Sequence, residues 1–531
     1  MSSKRFVIVG GGTAGWMTAM LFQHAFQDCT ITLVESAATG IIGVGEGSTP
    51  ALKAFMDALG ISESEWMSVC QATYKSGISF RGWSTRNGFE EYFHPFFSHF
   101  DRDHIKALIF NSELRRAGKR VHAHPNLFSY ASYLAANSLC PITPYAFPFE
   151  VQYGYHFNAA MLGSFLKEKA IERGVVWKSA HVENIALNAE GDIAHLAFEG
   201  GAILEGDFFV DCTGFASLIT GKTLGTPFIP YSDVLFNDRA VTLASPVEKV
   251  ISTQTVATAL NNGWAWKIPL QNRVGNGYVY SSAFCSEAEA EEELRAHLNM
   301  NNGEGEARHL KMRVGRAKTM WNRNSLAVGL SQGFLEPLEA TALALVQLTL
   351  VRFVKLYKAG VYTNQYAEQL NSEIAEAFDN VKDYIHTHYL TSDREDTPYW
   401  RACRQNSAAA SNRLKLVLQT WLSGADISEA LQSTGLNRHY KVNSWVYLLS
   451  GMGIFPPEHQ LVQASPDDLA KVPLDSIVDF FERCALNHMP QAEALNILRT
   501  GASPFSVEGR NKASKEQALA RLLGLNFAVS S

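Results

Sequence analysis

The chain has 531 residues, a formal net charge of −6, 46% hydrophobic side chains and 18% charged ones. That balance suits a globular protein with more than one core-sized unit, and it gives no electrostatic basis for binding nucleic acid or an anionic membrane. No apolar run approaches the roughly 18 residues of a membrane span, and the N-terminal run meets glycine too early for a signal segment, so a cytoplasmic location is predicted. Seven cysteines, at 29, 70, 140, 212, 285, 403 and 484, show neither a C-x-x-C pair nor a His-bearing ligand spacing. Reduced thiols and no metal site are expected.

From Phe6 a short apolar strand runs into Gly10-Gly11-Gly12-Thr13-Ala14-Gly15-Trp16. In such a strand-to-helix turn Gly10 permits the tight bend, Gly12 lets backbone approach a pyrophosphate, and Gly15 lets the helix pack on the sheet. The helix N-terminus around Thr13 and Ala14 offers free N–H groups and the positive end of its dipole to the anion. A second strand, Ile31-Thr32-Leu33-Val34, ends at Glu35, 20 residues beyond Gly15, where a carboxylate binds ribose hydroxyls. The glycine-dense stretch from Gly40 to Pro50, with Gly43-Val44-Gly45-Glu46 at its centre, follows on the edge where a dinucleotide lies.

Helical spacing follows from Ala51 to Leu59, and Ile61 to Trp66 supplies a cap-like start for another helix. Residues Ala72 to Trp83 alternate as one strand carrying Lys75 among apolar and small neighbours, where a lysine taken alone snorkels to solvent. Tyr92-Phe93-His94-Pro95-Phe96-Phe97 is an aromatic cluster with one imidazole. Tyr155 to Lys167 reads as a helix, and the residues around Ala202-Ile203-Leu204 and Asp207 to Asp211 read as a strand pair that ends in a carboxylate and the Gly214 turn. Between Val234 and Phe284 strand-like runs predict an antiparallel sheet holding Gly263-Trp264-Ala265-Trp266-Lys267-Ile268-Pro269. Its two indoles, two residues apart, share a face as core filler, as a channel wall or as a cover over a bound ring. A last strand near Leu326 leads through Gly333 to Ala342 into an apolar helix, about Leu343 to Leu356, whose start suits an anion or the flavin pyrimidine edge. Glu339, just before it, is a cap or a functional carboxylate. Beyond about Asn380 the periodicity is helical and carries no further motif.

Together these segments resemble the flavin-dependent halogenases of the tryptophan halogenase type. The resemblance runs through the glycine turn, Gly43-Val44-Gly45-Glu46, Tyr74-Lys75, the Trp264-Ala265-Trp266 signature with Ile268-Pro269, Arg313 to Arg316, Phe334 to Glu339 and Arg394 to Pro398, about three quarters of the chain. It implies an α/β chain with a glutathione-reductase-like FAD-binding fold and an antiparallel cover sheet at about 225–320. Residues 1–380 form the FAD-binding, monooxygenase-like module, and residues 381–531 form a mainly α-helical C-terminal domain that contributes to the substrate pocket.

The resemblance also implies a reaction. Reduced FAD from a separate NAD(P)H-dependent flavin reductase, dioxygen and a halide, chloride or bromide, give hypohalous acid, which travels a tunnel to Lys75. Lys75 and Glu339 are the implied catalytic pair, the amine receiving the oxidant and the carboxylate serving the cationic arene as base. Gly10, Gly12, Thr13, Ala14, Gly15, Glu35, Gly43, Val44, Gly45, Glu46, Asp211 and Leu335 are implied at the cofactor, Thr341 and Ala342 at the halide. His94, Phe96 and Trp445 are implied at a small aromatic substrate, and Trp264 and Trp266 as the tunnel and flavin cover. Ala340 and Ala342 stand where the family commonly has Ser and Gly, and Trp445-Val446 where tryptophan-specific members place paired tyrosines. A free indole or another electron-rich aromatic is therefore expected in preference to free tryptophan. The sequence leaves room for a homodimer, and its rival readings are a flavin monooxygenase that hydroxylates an aromatic ring and a non-catalytic flavin-binding protein.

Overall fold

The computed structural model describes residues 4–36, 45–143, 147–301 and 303–500. Its centre is a six-stranded sheet in the order Trp321–Asn322, Ser325–Ala327, Phe208–Asp211, Arg5–Val9, Thr30–Glu35, Val176–Ser179. All neighbours are parallel except the hairpin at Trp321–Asn322. Val9 pairs with both Val34 and Asp211, so Gly10, Glu35 and the segment after Asp211 all emerge at one edge of the sheet. Crevices at the carboxyl ends of such strands are where an open α/β sheet takes its ligand.

Helix Thr13–Ala25 lies on one face, where Phe6 meets Phe22 and Phe26 at ring separations of 5.2 and 4.8 Å. The other face is covered by a three-stranded antiparallel sheet, Val182–Leu187, Ile193–Phe198 and Ile203–Glu205, whose Ile193, Leu196 and Phe198 pack on Val7, Val9 and Phe209. Ile203–Glu205 and Phe208–Asp211 thus belong to different sheets and are not the pair the sequence suggested.

The cover sheet has seven strands, ordered Arg308–Lys311, Arg239–Ser245, Val274–Tyr280, Gly263–Pro269, Gln254–Leu260, Gly77–Arg81, Glu91–Pro95. It departs from the expected antiparallel sheet at about 225–320 in two ways. Two strands come from the first hundred residues, and Gln254–Leu260 runs parallel to Gly77–Arg81. The stretch expected as one strand from Ala72 to Trp83 breaks at Ser76, whose N–H bonds the Thr253 carbonyl at 2.6 Å. Its first half, Thr73–Lys75, joins a separate small sheet with Gly154–Phe157 and Glu46–Gly47. The helix expected from Tyr155 consequently begins later, as Ala159–Glu172 capped by Asn158, because Tyr155 and His156 are spent on that sheet.

The C-terminal third is helical. Helix Ala367–Thr391 runs straight through the division expected at 380 and 381, and one continuous apolar core joins Phe6 to Leu495. All seven cysteines are free thiols. Among the described residues no helix is long and apolar enough to cross a membrane, and no group of three or more His, Cys, Asp or Glu is placed to hold a metal.

Candidate active site

At the edge of the central sheet the glycine turn has the geometry of a phosphate cradle. Gly10 has φ of +112°, and a Cβ there would stand 2.2 Å from the Cys212 carbonyl oxygen. A Cβ on Gly15 would stand 1.9 Å from the Gly10 carbonyl oxygen, which is why the helix seats so closely on the strand. A Cβ on Gly12 would meet nothing within 4 Å among the described residues. Gly12 precedes the helix without a side-chain cap, so the first-turn N–H groups of Thr13–Ala25 face that open space. Glu35 is steered by its Oε1, which accepts from Lys167 Nζ at 2.6 Å and Trp177 Nε1 at 2.9 Å. Its Oε2 lies where a Cβ on Gly11 would be, 1.6 Å away, so the middle glycine of the run makes room for the carboxylate. These residues fit FAD: an open anion niche on uncapped backbone donors with a carboxylate one strand over.

Of the other residues expected at the cofactor, Gly43 and Val44 lie outside the described residues. Gly45 has φ of +82°, and burial pushes the carboxyl of the half-buried Glu46 up to about 7. Leu335 is buried beside the strand Gly333–Phe334. Asp211 ends the strand Phe208–Asp211. Its carboxylate accepts five hydrogen bonds, from the Thr213 N–H and hydroxyl, the Ile219 and Thr220 N–H groups and the Ser331 hydroxyl. With its lone pairs committed, it shapes the turn beyond the strand at the edge where the cradle opens.

The second part of the site, the chamber, is a cluster of buried side chains where the small sheet of Thr73–Lys75, the seven-stranded sheet and the C-terminal helices supply neighbouring residues. Lys75 is 0% exposed, and its Nζ has no hydrogen-bond partner among the described residues. It does not snorkel. Burial lowers its ammonium to about 7, against the negative charge of Glu339, which raises it. Nζ lies 5.4 Å from the centre of the Phe96 ring. The strand bearing it is anchored through Tyr74, whose hydroxyl donates to Glu63 together with those of Tyr153 and Tyr155.

Glu339 ends the turn Pro337–Glu339, and Ala340 follows with φ of +54° before helix Ala342–Ala359. Glu339 is no helix cap. Its Oε1 stands 3.1 Å from His388 Nε2, both side chains being buried. Its charge is felt at Lys75, Tyr92, His94, Tyr384 and Tyr440, which places it at the centre of this set. His94 lies within 3.2 Å of the Tyr384 hydroxyl, and burial holds its imidazole below the usual histidine range. Tyr384 stacks on Tyr440 at 3.6 Å and meets the Trp445 ring edge-on at 5.1 Å. The Trp445 indole N–H is buried without a partner among the described residues. Thr341 and Ala342 open the helix, again without a side-chain cap, so its first N–H groups lie beside Glu339.

Three residues of this chamber escaped the sequence reading. Tyr384 and His388 sit four apart on helix Ala367–Thr391 and so share a face, a spacing visible in the chain but indistinguishable from core. Glu336 was quoted without a role. It is buried, and its Oε2 accepts from Trp264 Nε1 at 2.7 Å, Asn237 at 3.0 Å and the Tyr389 hydroxyl at 2.6 Å. Burial raises its carboxyl while those three bonds lower it. Trp264 is thereby fixed to the turn that carries Glu339. Trp266, 6.2 Å from Trp264, packs on Gly277, and its N–H has no partner among the described residues.

A dinucleotide cradle and, in the same fold, a buried amine and carboxylate among aromatic walls fit a flavoprotein that acts on an aromatic substrate. The tryptophan halogenase family model matches residues 5–467, and the chain belongs to that family. It is similar to tryptophan 6-halogenase SttH of Streptomyces toxytricini, 37% identical over 424 residues, covering 75% of this chain and 80% of the relative. The crystal structure of that enzyme superposes with a TM-score of 0.79 at 28% identity, over 93% of this chain and all of the other. BrvH, a flavin-dependent halogenase from Brevundimonas sp. BAL3, gives 0.78 at 29% identity, over 93% and 99% of the two chains. A tryptophan halogenase from Shewanella frigidimarina gives 0.81 at 29%, over 95% and 99%. The protein is an enzyme, a flavin-dependent halogenase that uses reduced FAD, dioxygen and halide on an aromatic substrate.

Proposed function

We propose that this enzyme halogenates a free indole or another electron-rich aromatic through Lys75, with Glu339 as the base and a separate NAD(P)H-dependent flavin reductase as its source of reduced FAD. When bound in the cradle, reduced FAD with dioxygen and halide supplies hypohalous acid. The uncapped N–H groups at Thr341 and Ala342 hold the halide, and Trp264 and Trp266 keep the aromatic substrate away from the cofactor. The observation that carries the reading is the Lys75 amine, fully buried, unpartnered among the described residues, and within electrostatic reach of Glu339. An amine held near 7 presents its neutral form, and with it a lone pair, at ordinary pH. His94 and Phe96 supply flat walls for the ring, and Trp445 closes the far side. Glu339 stabilises the cation formed as halogen adds to the ring and takes the proton that restores aromaticity. The SttH relative is named a tryptophan 6-halogenase, whereas the Trp445-Val446 pair here favours a substrate without an amino acid head.

The test supplies purified protein with FAD, a flavin reductase, NADH, oxygen, bromide and indole. Brominated indole is the expected product. Hydroxylated indole would support the monooxygenase reading, and turnover of tryptophan far above indole would overturn the substrate class.

A further inference from the structure

The chamber floor under Lys75 holds a polar chain that the reaction above does not use. Thr73 and Lys75 lie two apart on one strand, and His156 pairs across from both Thr73 and Gly47. The Thr73 hydroxyl donates its one proton to the Pro269 carbonyl at 2.8 Å, so toward His156 Nδ1, 3.1 Å away, it can only accept. Nδ1 therefore carries the imidazole proton. Burial and the nearby Lys75 charge hold His156 well below the usual histidine range, which keeps the ring neutral and its Nε2 bare. Nε2 lies 2.9 Å from Thr255 Oγ1 and must accept that hydroxyl's only proton. The Thr255 oxygen is left with lone pairs and no proton to offer.

That oxygen and the Lys75 amine face the same niche. A Cβ on Gly47 would stand 3.1 Å from Lys75 Nζ, 3.4 Å from Thr255 Oγ1 and 3.7 Å from His156 Cδ2, so the three share the niche that glycine leaves open. We infer that Thr255 is a hydrogen-bond acceptor that orients the Lys75 amine through one water, and that Thr73 and His156 are positioning residues that fix its polarity. One N–H tied down on the floor turns the amine's remaining valence toward Phe96 and Glu339, where oxidant and ring must meet. A protonated His156 would reverse Thr255 and aim a hydroxyl proton at the amine. The inference rests on Lys75 being the reacting amine. The titratable groups that act electrostatically on or with Lys75 are Glu339, His94 and His156.

The test compares Thr255→Val, Thr255→Ser and His156→Asn with the wild type in bromination of indole across pH, with FAD affinity measured alongside. An acceptor favours the charged amine, so its loss in Thr255→Val moves the acid limb of the rate profile down by about one pH unit and lowers the plateau about tenfold. Thr255→Ser restores both. His156→Asn keeps the donor to Thr73 but frees the Thr255 proton to turn toward the amine, so the acid limb moves down as in Thr255→Val but by less, and this variant serves if Thr255→Val fails to fold. FAD affinity stays unchanged throughout. A Thr255→Val enzyme with the wild-type profile, a lowered rate with an unmoved acid limb, or a serine variant as impaired as the valine would overturn the inference. Persistent bromination by Lys75→Ala would instead show that the functional reading beneath it is wrong.

Discussion

The cradle and the chamber are built by opposite means. The cradle uses one continuous turn, Gly10 to Gly15, and does its work with backbone: absent side chains, open space over Gly12 and uncapped N–H groups. The chamber draws Lys75, His94, Glu339, Tyr384, His388 and Trp445 from five separate elements and works with side chains, several of them buried without partners among the described residues. Burying an unpaired polar group costs on the order of 1–3 kcal/mol, and the surrounding aromatic packing has to offset it. A cradle must only admit its ligand, whereas a chamber has to hold reactive groups unsatisfied until their reactants arrive.

Variants in the two regions should therefore fail in different ways. Gly10→Ala has the largest expected effect. The positive φ and the Cys212 carbonyl 2.2 Å from the new methyl leave it no room, so little folded flavoprotein should be recovered by gel filtration and flavin absorbance. Glu339→Gln keeps shape and removes the proposed base, and kcat should drop by roughly 10²–10⁴ with FAD affinity unchanged. Equal losses in both readouts would erase the contrast between the regions. Gly12→Ala folds normally, because its methyl meets nothing in the protein, but crowds the anion niche; FAD should bind about tenfold more weakly by fluorescence titration, with no effect on Tm.

The last two effects are smaller. With the Lys75 folded pKa depressed to about 7, its neutral fraction, and with it the bromination rate, should climb as pH rises through 7 and level off above about 8. A rate flat from pH 6 to 9 would contradict the role of a titrating amine. The same depression means the folded protein binds fewer protons than the unfolded chain between about 7 and 10.5, so this group's penalty on stability, full below 7, fades as pH rises toward 10.5. Glu336→Gln leaves three donors one charged acceptor short and should lower stability by about 1–3 kcal/mol in denaturant unfolding.

The same contrast decides what could be read from the chain. The cradle was legible residue by residue, because strand, glycines and Glu35 are consecutive and each glycine has a local reason. The bonding of Asp211 was not legible, since a carboxylate after a strand reads alike whether it faces a ligand or bonds, as here, to its own turn. The chamber was not legible from periodicity. Lys75 looked like a surface lysine, and only the family resemblance pointed to it. His388 and Tyr384 were invisible inside a helical pattern that serves any core. The break at Ser76 escaped because alternation continues across it, while a single bond to Thr253 sends the two halves into different sheets.

The proposed function depends on delivery of oxidant from the bound flavin, where halide and dioxygen react, to Lys75 in the chamber. It is tested most directly by following halide oxidation and indole bromination together in Lys75→Ala. In that variant hypohalous acid, caught by a chemical trap in solution, should still form while brominated indole vanishes. A Lys75→Ala enzyme that brominates indole at the wild-type rate would contradict it.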